Sequence, residues 1–293
     1  MRLIALLTLL WILPALVQAQ SAHENQGGVK KLTLTLDAHF PFEVNNAETV
    51  YRDFNAVAQD VVEVVNRRCA GANFPYTRPI VCYFGTEKVP HTDVENQGKS
   101  QRIRMSLTQE RVQARDYSKF AFQLGHELGH VVLDARRCNG LVETLADAFS
   151  YQVLDDMSDL WKTKYADFPP WRDFAPEFHK YRLRDQQDYL SGPLRSLQAQ
   201  VQEKRWTEVA AFLKAHQQEL DANPYGNWSN ALRCLGATAF LARNVSWQDL
   251  AGFAGFTDPP PSQAPDYRNG LPIVMERTPK SLHDALRRMG RLP

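Results

Sequence analysis

Gly125-His126-Glu127-Leu128-Gly129-His130 is the segment around which the rest of the chain is interpreted. On an α-helix, residues four positions apart lie one turn apart on the same face, so His126 and His130 can direct their imidazole nitrogens to one point. Two histidines in this arrangement are a metal-binding pair, and the carboxylate of Glu127 can reach a water at the metal without being a ligand. The segment therefore predicts a catalytic metal centre on a helix, with an open ligand position.

The residues around this segment predict that the helix is buried. Its apolar members are Phe120, Leu124, Leu128, Val131, Val132 and Leu133. Asp116 or Ser118 can serve as the N-cap, because both side chains accept hydrogen bonds from free helix N–H groups. An alternative interpretation stays open at this point, namely an ordinary buried helix whose histidines bond to neighbouring carbonyl groups.

A second pattern, Glu143-Thr144-Leu145-Ala146-Asp147, begins thirteen residues after His130. Together with H-E-x-x-H it resembles the gluzincins, zinc metallopeptidases in which a glutamate on the next helix supplies the third ligand. The resemblance implies that His126, His130 and Glu143 bind Zn²⁺, that Glu127 is the general base, and that Asp147 orients a ligating histidine. Such orienting partners fix the tautomer of the ligand. A variant with Asp147 as the ligand in place of Glu143 stays open.

The extent of the resemblance is limited to about residues 31–157. The metzincin pattern is excluded, because it requires a glycine three residues and a histidine six residues after the second histidine. Leu133 and Arg136 occupy those positions. The short spacing between His130 and Glu143 is typical of the compact gluzincins rather than of the large thermolysin-like enzymes.

Composition and charge narrow the possible partners. Hydrophobic residues make up 44% of the chain, charged residues 23%, and the formal net charge is +1. A nearly neutral chain without basic runs gives no electrostatic footprint for nucleic acid or acidic membranes. We therefore expect a peptide or protein substrate and no nucleic-acid partner, while the sequence does not indicate an oligomeric state.

The N-terminus has the features of an export signal in residues 1–19. Arg2 supplies the positive charge, residues 3–17 form the apolar segment, and Val17-Gln18-Ala19 is a small-residue cleavage site. The sequence thus predicts a secreted or periplasmic protein that has no membrane segment after cleavage. An uncleaved N-terminal anchor is the alternative.

The four cysteines gain meaning from the predicted export. None of them forms a C-x-x-C pair, which argues against a thiol redox motif or a zinc knot. An even number in an oxidising compartment suggests two disulfides. Cys69 follows a helix and Cys82 lies in the next strand, so we expect a Cys69–Cys82 bridge, which leaves Cys138 to pair with Cys234.

Apolar periodicity predicts an α+β fold. Strands are expected at residues 31–40, 78–84 and 102–107, a helix capped by Asn46 at 46–67, and a polar loop at 85–100. Cys138-Asn139-Gly140 predicts a left-handed turn before a helix at 141–157. The order implies, by the resemblance, a zincin-like N-terminal subdomain (residues 31–157) with a small mixed sheet and the active-site helices. In that family the strand before the active-site helix is the sheet edge that holds an extended peptide, so residues 101–107 are the expected substrate-positioning segment.

Residues 158–293 are expected to form a mainly α-helical C-terminal subdomain. Helices are predicted at 193–203, 207–220, 229–243 and 247–254, with a last helix that follows Thr278-Pro279 and ends at Met289. The aromatic and proline-rich residues 161–181 suggest a linker or cleft-lining segment, and residues 258–272 a loop. The basic tail Arg287, Arg288 and Arg291 is interpreted as a solvated helix end.

The function predicted from these features is hydrolysis of peptide bonds by an exported zinc peptidase. The mechanism also needs a donor for the oxyanion, and the candidates in the C-terminal half are His179, Tyr181, His216 and Tyr225. Two alternatives remain: a catalytically inactive zinc-binding or interaction protein with a zincin fold, and an amidase that acts on cell-wall peptides.

Overall fold

The computed structural model describes residues 31–70, 79–95, 100–133, 139–242, 245–247 and 280–292, which belong to one compact unit. No helix within these ranges is long and apolar enough to cross a membrane. Several predicted features lie outside the described residues: the signal segment 1–19, Cys138, the loop 258–272 and all but the start of the helix expected at 247–254. The chain within the ranges is an α+β structure that is mostly helical.

A four-stranded mixed sheet forms the N-terminal part, in the order β1-β2-β4-β3. Its strands are β1 (Leu34–Leu36), β2 (Ile80–Phe84), β3 (His91–Glu95) and β4 (Ser100–Met105). β1, β2 and β4 are parallel, whereas β3 runs antiparallel to β4 at the end of the sheet. The three predicted strands are confirmed in position, and β3 is an additional strand.

The prediction that residues 101–107 form the sheet edge is wrong. β4 is paired on both sides, with β2 and with β3, and β3 is the edge strand. β3 lies in the segment expected to be a polar loop, because its sequence, His91-Thr92-Asp93-Val94-Glu95, is mostly polar and lacks apolar alternation. Backbone hydrogen bonds to β4 hold it as a strand without that pattern.

One face of the sheet packs against helix α1 (Ala47–Arg68), which confirms the helix predicted at 46–67. α1 runs antiparallel to β1: the Tyr51 hydroxyl donates to the carbonyl of Leu36, and Gln59 Nε2 donates to that of Leu34. Asn66, near the end of the helix, exchanges hydrogen bonds with the backbone of Leu32. Asn46 precedes the helix with a φ of 55°, but its side chain does not cap it.

This geometry explains why the predicted Cys69–Cys82 disulfide is wrong, since both cysteines are buried free thiols. Cys69 directly follows α1, close to Asn66, which bonds to Leu32 just before β1. Cys82, by contrast, pairs with Leu36 at the other end of β1. Four residues of strand separate these two positions by about 13 Å, and a disulfide joins Cα atoms that are about 4 to 7 Å apart. Cys234 is likewise a buried free thiol.

Two long helices stand next in the chain after the short helix α2 (Gln109–Gln113): α3 (Tyr117–Leu133) and α4 (Gly140–Lys164). Asp116 caps α3, as predicted, because its Oδ1 accepts a hydrogen bond of 3.0 Å from Lys119 N. The two helices approach closely at Gly129, where an added Cβ would lie 3.0 Å from the Cα of Ala146. The glycine therefore lets α4 come within reach of the face of α3 that carries His126 and His130.

The C-terminal part is helical, as predicted. It comprises α5 (Pro169–Ser191), a 3-10 turn (Arg195–Leu197), α6 (Gln198–Gln202), α7 (Trp206–Ala215), α8 (Gln217–Ala222), α9 (Asn227–Leu241) and α10 (Lys280–Arg288). The interpretation of residues 161–181 as a linker is wrong, because α5 begins at Pro169, a residue that favours the first turn of a helix. The division after Met157 stays a prediction, and α4 runs through that position.

The end of the chain differs from the expected solvated tail in one residue. Arg291 is buried, and its guanidinium pairs with Asp221 at 2.7 Å. Arg287 lies on the exposed face of α10, where it bonds to Asp284. Arg291 thus ties the C-terminus to α8 instead of facing water.

Candidate metal centre

Three buried side chains from α3 and α4 converge on one point: His126, His130 and Glu143. The two histidine Nε2 atoms lie 3.1 Å apart. Glu143 Oε2 is 3.2 Å from Nε2 of His126, and Oε1 is 3.6 Å from Nε2 of His130. Among the described residues this is the only group of three or more potential ligands close enough to hold an ion.

The local sequence explains how Glu143 reaches the histidines. Asn139 is the N-cap of α4, and its Oδ1 accepts hydrogen bonds from the N–H groups of Leu141 and Val142. Its φ of −152° is extended, so the predicted left-handed turn at Asn139 is wrong. The cap starts α4 opposite the end of α3 and leaves Glu143 in the first helical turn, where the helix dipole favours a carboxylate.

Asp147 holds the ring of His126 from behind. Its Oδ1 lies 2.8 Å from Nδ1 of His126, on the opposite side of the imidazole from the nitrogen that faces Glu143. A carboxylate at this nitrogen fixes the proton on Nδ1 and leaves Nε2 as a ligand atom. Asp147 is therefore not one of the three converging groups, and the contact predicted for it with a histidine is present.

The second histidine has a different environment. Nδ1 of His130 is buried without a hydrogen-bond partner among the described residues. Among the described residues, neither histidine ring bonds to a backbone carbonyl group. The alternative interpretation, an ordinary buried helix whose histidines bond to neighbouring carbonyl groups, required such bonds. Both Nε2 atoms face Glu143, which is the arrangement that a shared ion requires.

Arg233 from α9 is a member of the site that the sequence did not reveal. Its Nε donates to Asp147 Oδ2 at 2.8 Å, and its Nη2 to Oδ1 at 3.2 Å. The third nitrogen, Nη1, lies 3.1 Å from Glu143 Oε2 and donates to the carbonyl of Pro224 at 3.2 Å. Arg233 therefore joins both carboxylates of α4 to the C-terminal half. An ion pair between residues 86 positions apart leaves no local pattern in the sequence.

The electrostatics of the cluster favour a cation. Burial lowers the pKa of His126, but the hydrogen bonds and charges of Asp147 and Glu143 outweigh it and raise the pKa to about 10. For Glu143, burial opposes ionisation, while His126, His130 and Arg233 hold the pKa well below its usual range. For His130, burial is the main cause of a lowered pKa. Without an ion, the cluster therefore holds a proton on His126 between carboxylates.

The donor set suits a divalent ion in charge and in spacing. Glu127, Glu143 and Asp147 provide three carboxylates against the single guanidinium of Arg233. A divalent ion that displaces the proton from His126 leaves this group with no net charge. A tetrahedral ion with ligands at about 2.1 Å places neighbouring ligand atoms about 3.4 Å apart, close to the observed 3.1 to 3.6 Å. The three residues could therefore hold a metal ion.

Glu127 follows His126 on α3 and is 2% exposed, and its charge acts on the buried ring of His130. The hydroxyl of Thr92 on β3 donates a hydrogen bond of 2.6 Å to its Oε2. Thr92 is the second residue that the sequence analysis missed, since β3 was expected to be loop. The Glu127 carboxylate is thus held by a hydrogen bond from the edge strand.

Of the four candidate oxyanion donors, the structure brings one to the cluster. The Tyr225 hydroxyl lies 3.5 Å from Oε1 of Glu143, and the residue is 55% exposed. His179 bonds to Asp155, His216 bonds to Glu219, and Tyr181 packs on Phe122, so these three serve local contacts in the described structure. Tyr225 directly follows Pro224, whose carbonyl is held by Arg233.

Comparisons of this chain with protein-family models, with curated proteins and with solved structures found no match.

Proposed function

We propose that this protein is an exported zinc-dependent peptidase of the gluzincin type. In this proposal His126, His130 and Glu143 hold Zn²⁺, and Glu127 is the general base. The observation that carries the proposal is the convergence of the three buried donors on one point, together with the buried carboxylate of Glu127, which follows His126 on α3. The orienting contact of Asp147 with His126 gives further support.

The ligand types favour zinc. Two imidazoles and one carboxylate are a typical set for catalytic Zn²⁺, with the fourth position left for water or substrate. Calcium and magnesium prefer sites made only of oxygen ligands. Copper also binds imidazole, and metal analysis distinguishes it from zinc.

When bound, the ion supplies a Lewis acid that polarises a carbonyl group and acidifies a water molecule. Glu127 accepts a proton from the attacking water and delivers it to the leaving amine as the peptide bond breaks. Its burial keeps the carboxylate in a low-dielectric environment, where interactions with charged groups are stronger than in water. Asp147 holds the Nδ1 proton of His126, which keeps that ring in its ligating orientation.

Tyr225 is the residue we propose as the oxyanion donor. Its hydroxyl is close to Glu143, and the residue is exposed, so a substrate carbonyl can approach it from solvent. Arg233 fixes the adjacent residue Pro224 through its carbonyl. The same guanidinium therefore positions the two carboxylates of α4 and the segment that carries Tyr225.

The outer side of β3, the last strand of the sheet within the described residues, is the segment we propose for binding an extended peptide, in place of residues 101–107. A sheet edge presents unpaired backbone groups that can hold one more strand. The contact between Thr92 and Glu127 supports this choice, since it brings the edge strand alongside the general base. The predicted export signal at residues 1–19 places the substrates outside the cytoplasm in this proposal.

The proposal is tested with the zinc-loaded protein, using an unstructured protein and cell-wall peptide fragments as separate substrates. Glu127→Gln should retain stoichiometric zinc and lose about 10²- to 10⁴-fold in kcat, since it removes a general base. Glu208→Gln, a change of an exposed glutamate on α7, is the matched control and should leave both unchanged.

Three outcomes contradict the proposal in whole or in part. Undiminished turnover by Glu127→Gln removes Glu127 as the base. Stoichiometric zinc with no hydrolysis of either substrate indicates a zinc-binding protein without peptidase activity. Cleavage of the cell-wall fragments alone identifies the amidase alternative.

A further inference from the structure

A row of four paired residues crosses the sheet on the side that faces the helices. Leu36 of β1 pairs with Cys82, Cys82 with Ile103, and Ile103 with Thr92 of β3. Directly paired residues point to the same face of a sheet. The first three are apolar and buried, and Thr92 is the polar member at the edge. The row therefore ends in a hydroxyl group that faces the active-site helix.

That hydroxyl contacts the carboxylate proposed as the general base. Thr92 Oγ1 donates to Oε2 of Glu127 at 2.6 Å, and it also lies 3.5 Å from the Glu127 carbonyl oxygen. Glu127 is buried and Thr92 is partly buried, and a buried polar group is costly without a hydrogen bond, so this contact offsets the burial of the Glu127 carboxylate. Hydrogen bonds to a charged acceptor are shorter and stronger than bonds between neutral groups.

Thr92 is well suited to hold a side chain still. Its branched Cβ restricts the side-chain rotamer, and its backbone belongs to a strand that is paired with β4 along its length. Its hydroxyl position is thus set by the sheet, whereas Glu127 is carried by α3. The contact fixes the distance between these two elements at the reacting carboxylate.

We propose that Thr92 is a positioning residue for the general base: from the sheet edge, its hydroxyl holds Oε2 of Glu127 and leaves Oε1 turned towards the proton that is transferred. This inference rests on the proposed function. Because β3 also carries the edge proposed for an extended peptide, one strand aligns both the substrate and the base. A peptide paired to β3 is then presented in a fixed register relative to Glu127.

Three variants separate positioning from a purely structural role. Thr92→Val keeps the shape and removes the hydroxyl, Thr92→Ser keeps the hydroxyl, and Thr163→Val is a matched control on the exposed side of α4. Loss of a hydrogen bond to a charged group predicts a fall in kcat of about 10- to 100-fold for Thr92→Val. KM and bound zinc should stay unchanged, and Thr92→Ser should be within about 3-fold of wild type.

A thermal-unfolding cycle on the zinc-loaded protein provides a readout that needs no activity. It compares wild type, Thr92→Val, Glu127→Ala and the double variant. We expect Thr92→Val to lower the midpoint clearly when Glu127 is present and much less when it is absent. Equal shifts in both backgrounds overturn the proposal, as does a Thr92→Ser variant as slow as Thr92→Val.

The two proposals can fail separately. If the zinc-loaded wild type cleaves no peptide, the proposed function fails. The midpoint cycle then decides alone whether Thr92 holds Glu127: unequal shifts support the contact, and equal shifts overturn it. If the wild type cleaves peptides but Thr92→Val changes only KM, the proposed function stands and the positioning role is overturned.

Discussion

Replacing Arg233 by methionine tests the charge balance of the metal centre. In the metal-free protein, this change removes the cation from two buried carboxylates, Asp147 and Glu143. Breaking a buried ion pair from one side costs about 3 to 5 kcal/mol, because it leaves an uncompensated charge. At about 2 to 4 °C per kcal/mol for a protein of this size, we expect Tm to fall by roughly 6 to 20 °C.

The zinc-loaded form should lose less. In this form the ion would neutralise Glu143, and the loss would fall on Asp147, which gives up its hydrogen bonds from Nε and Nη2 of Arg233. Its Oδ1 keeps Nδ1 of His126 as a partner, so the main loss is the bond to Oδ2, and a hydrogen bond to a charged group is worth about 1.5 to 3 kcal/mol. By linkage, zinc should therefore raise the Tm of Arg233→Met by more than it raises that of wild type.

Differential scanning calorimetry of both forms measures this difference. Arg182→Met, a change on α5 that removes the ion pair of Arg182 with Asp155 on α4, is the control and should lower Tm equally with and without zinc. Equal losses for Arg233→Met in the two forms would refute the charge argument. Failure of Arg233→Met to bind zinc would show that Arg233 acts instead by holding Glu143 in place.

Three further predictions concern the surroundings of the site. Asp147→Asn weakens the orienting bond to a histidine ligand and should lower zinc affinity by about 10- to 100-fold in a chelator competition, whereas Asp155→Asn should not. Gly129→Ala should lower both Tm and zinc affinity although alanine favours helices, because its Cβ would lie 3.0 Å from the Cα of Ala146 on α4. A raised Tm with unchanged zinc affinity would contradict the close approach of the two helices. Burial raises the pKa of the Cys69 thiol to about 12 and that of the Cys82 thiol further. Both thiols should therefore resist alkylation at pH 8 until the protein is unfolded. A peptide that contains both cysteines and has a mass two units below that of the reduced form would show a disulfide instead.

The parts of the site that the sequence predicted are those encoded by helical spacing. His126 and His130 are four residues apart, so any helix through them brings their rings together. Asp147 is four residues after Glu143, so the two carboxylates lie one helical turn apart on the same face of α4. Glu143 therefore contacts Nε2 of His126, and Asp147 contacts Nδ1 of the same ring. These relations depend only on helix geometry.

The parts that were missed depend on contacts between distant segments. Thr92 lies on a strand whose residues are mostly polar, so alternation gave no sign that it pairs with β4. Arg233 is one arginine among many, and only the packing of α9 against α4 brings it to Asp147. The prediction of a Cys69–Cys82 disulfide failed for a related reason. Two cysteines that are close in sequence can still lie at opposite ends of a neighbouring strand.

The most direct test of the metal centre is the metal content of the purified protein, with and without His130. We expect about one equivalent of zinc in the wild type and its loss in His130→Ala, because each ligand contributes to metal affinity. His179→Ala, a change to a histidine that bonds to Asp155 away from the cluster, should keep the zinc. A wild-type protein that binds no zinc at neutral pH, or a His130→Ala variant that retains it, would contradict the assignment of His126, His130 and Glu143 as a metal site.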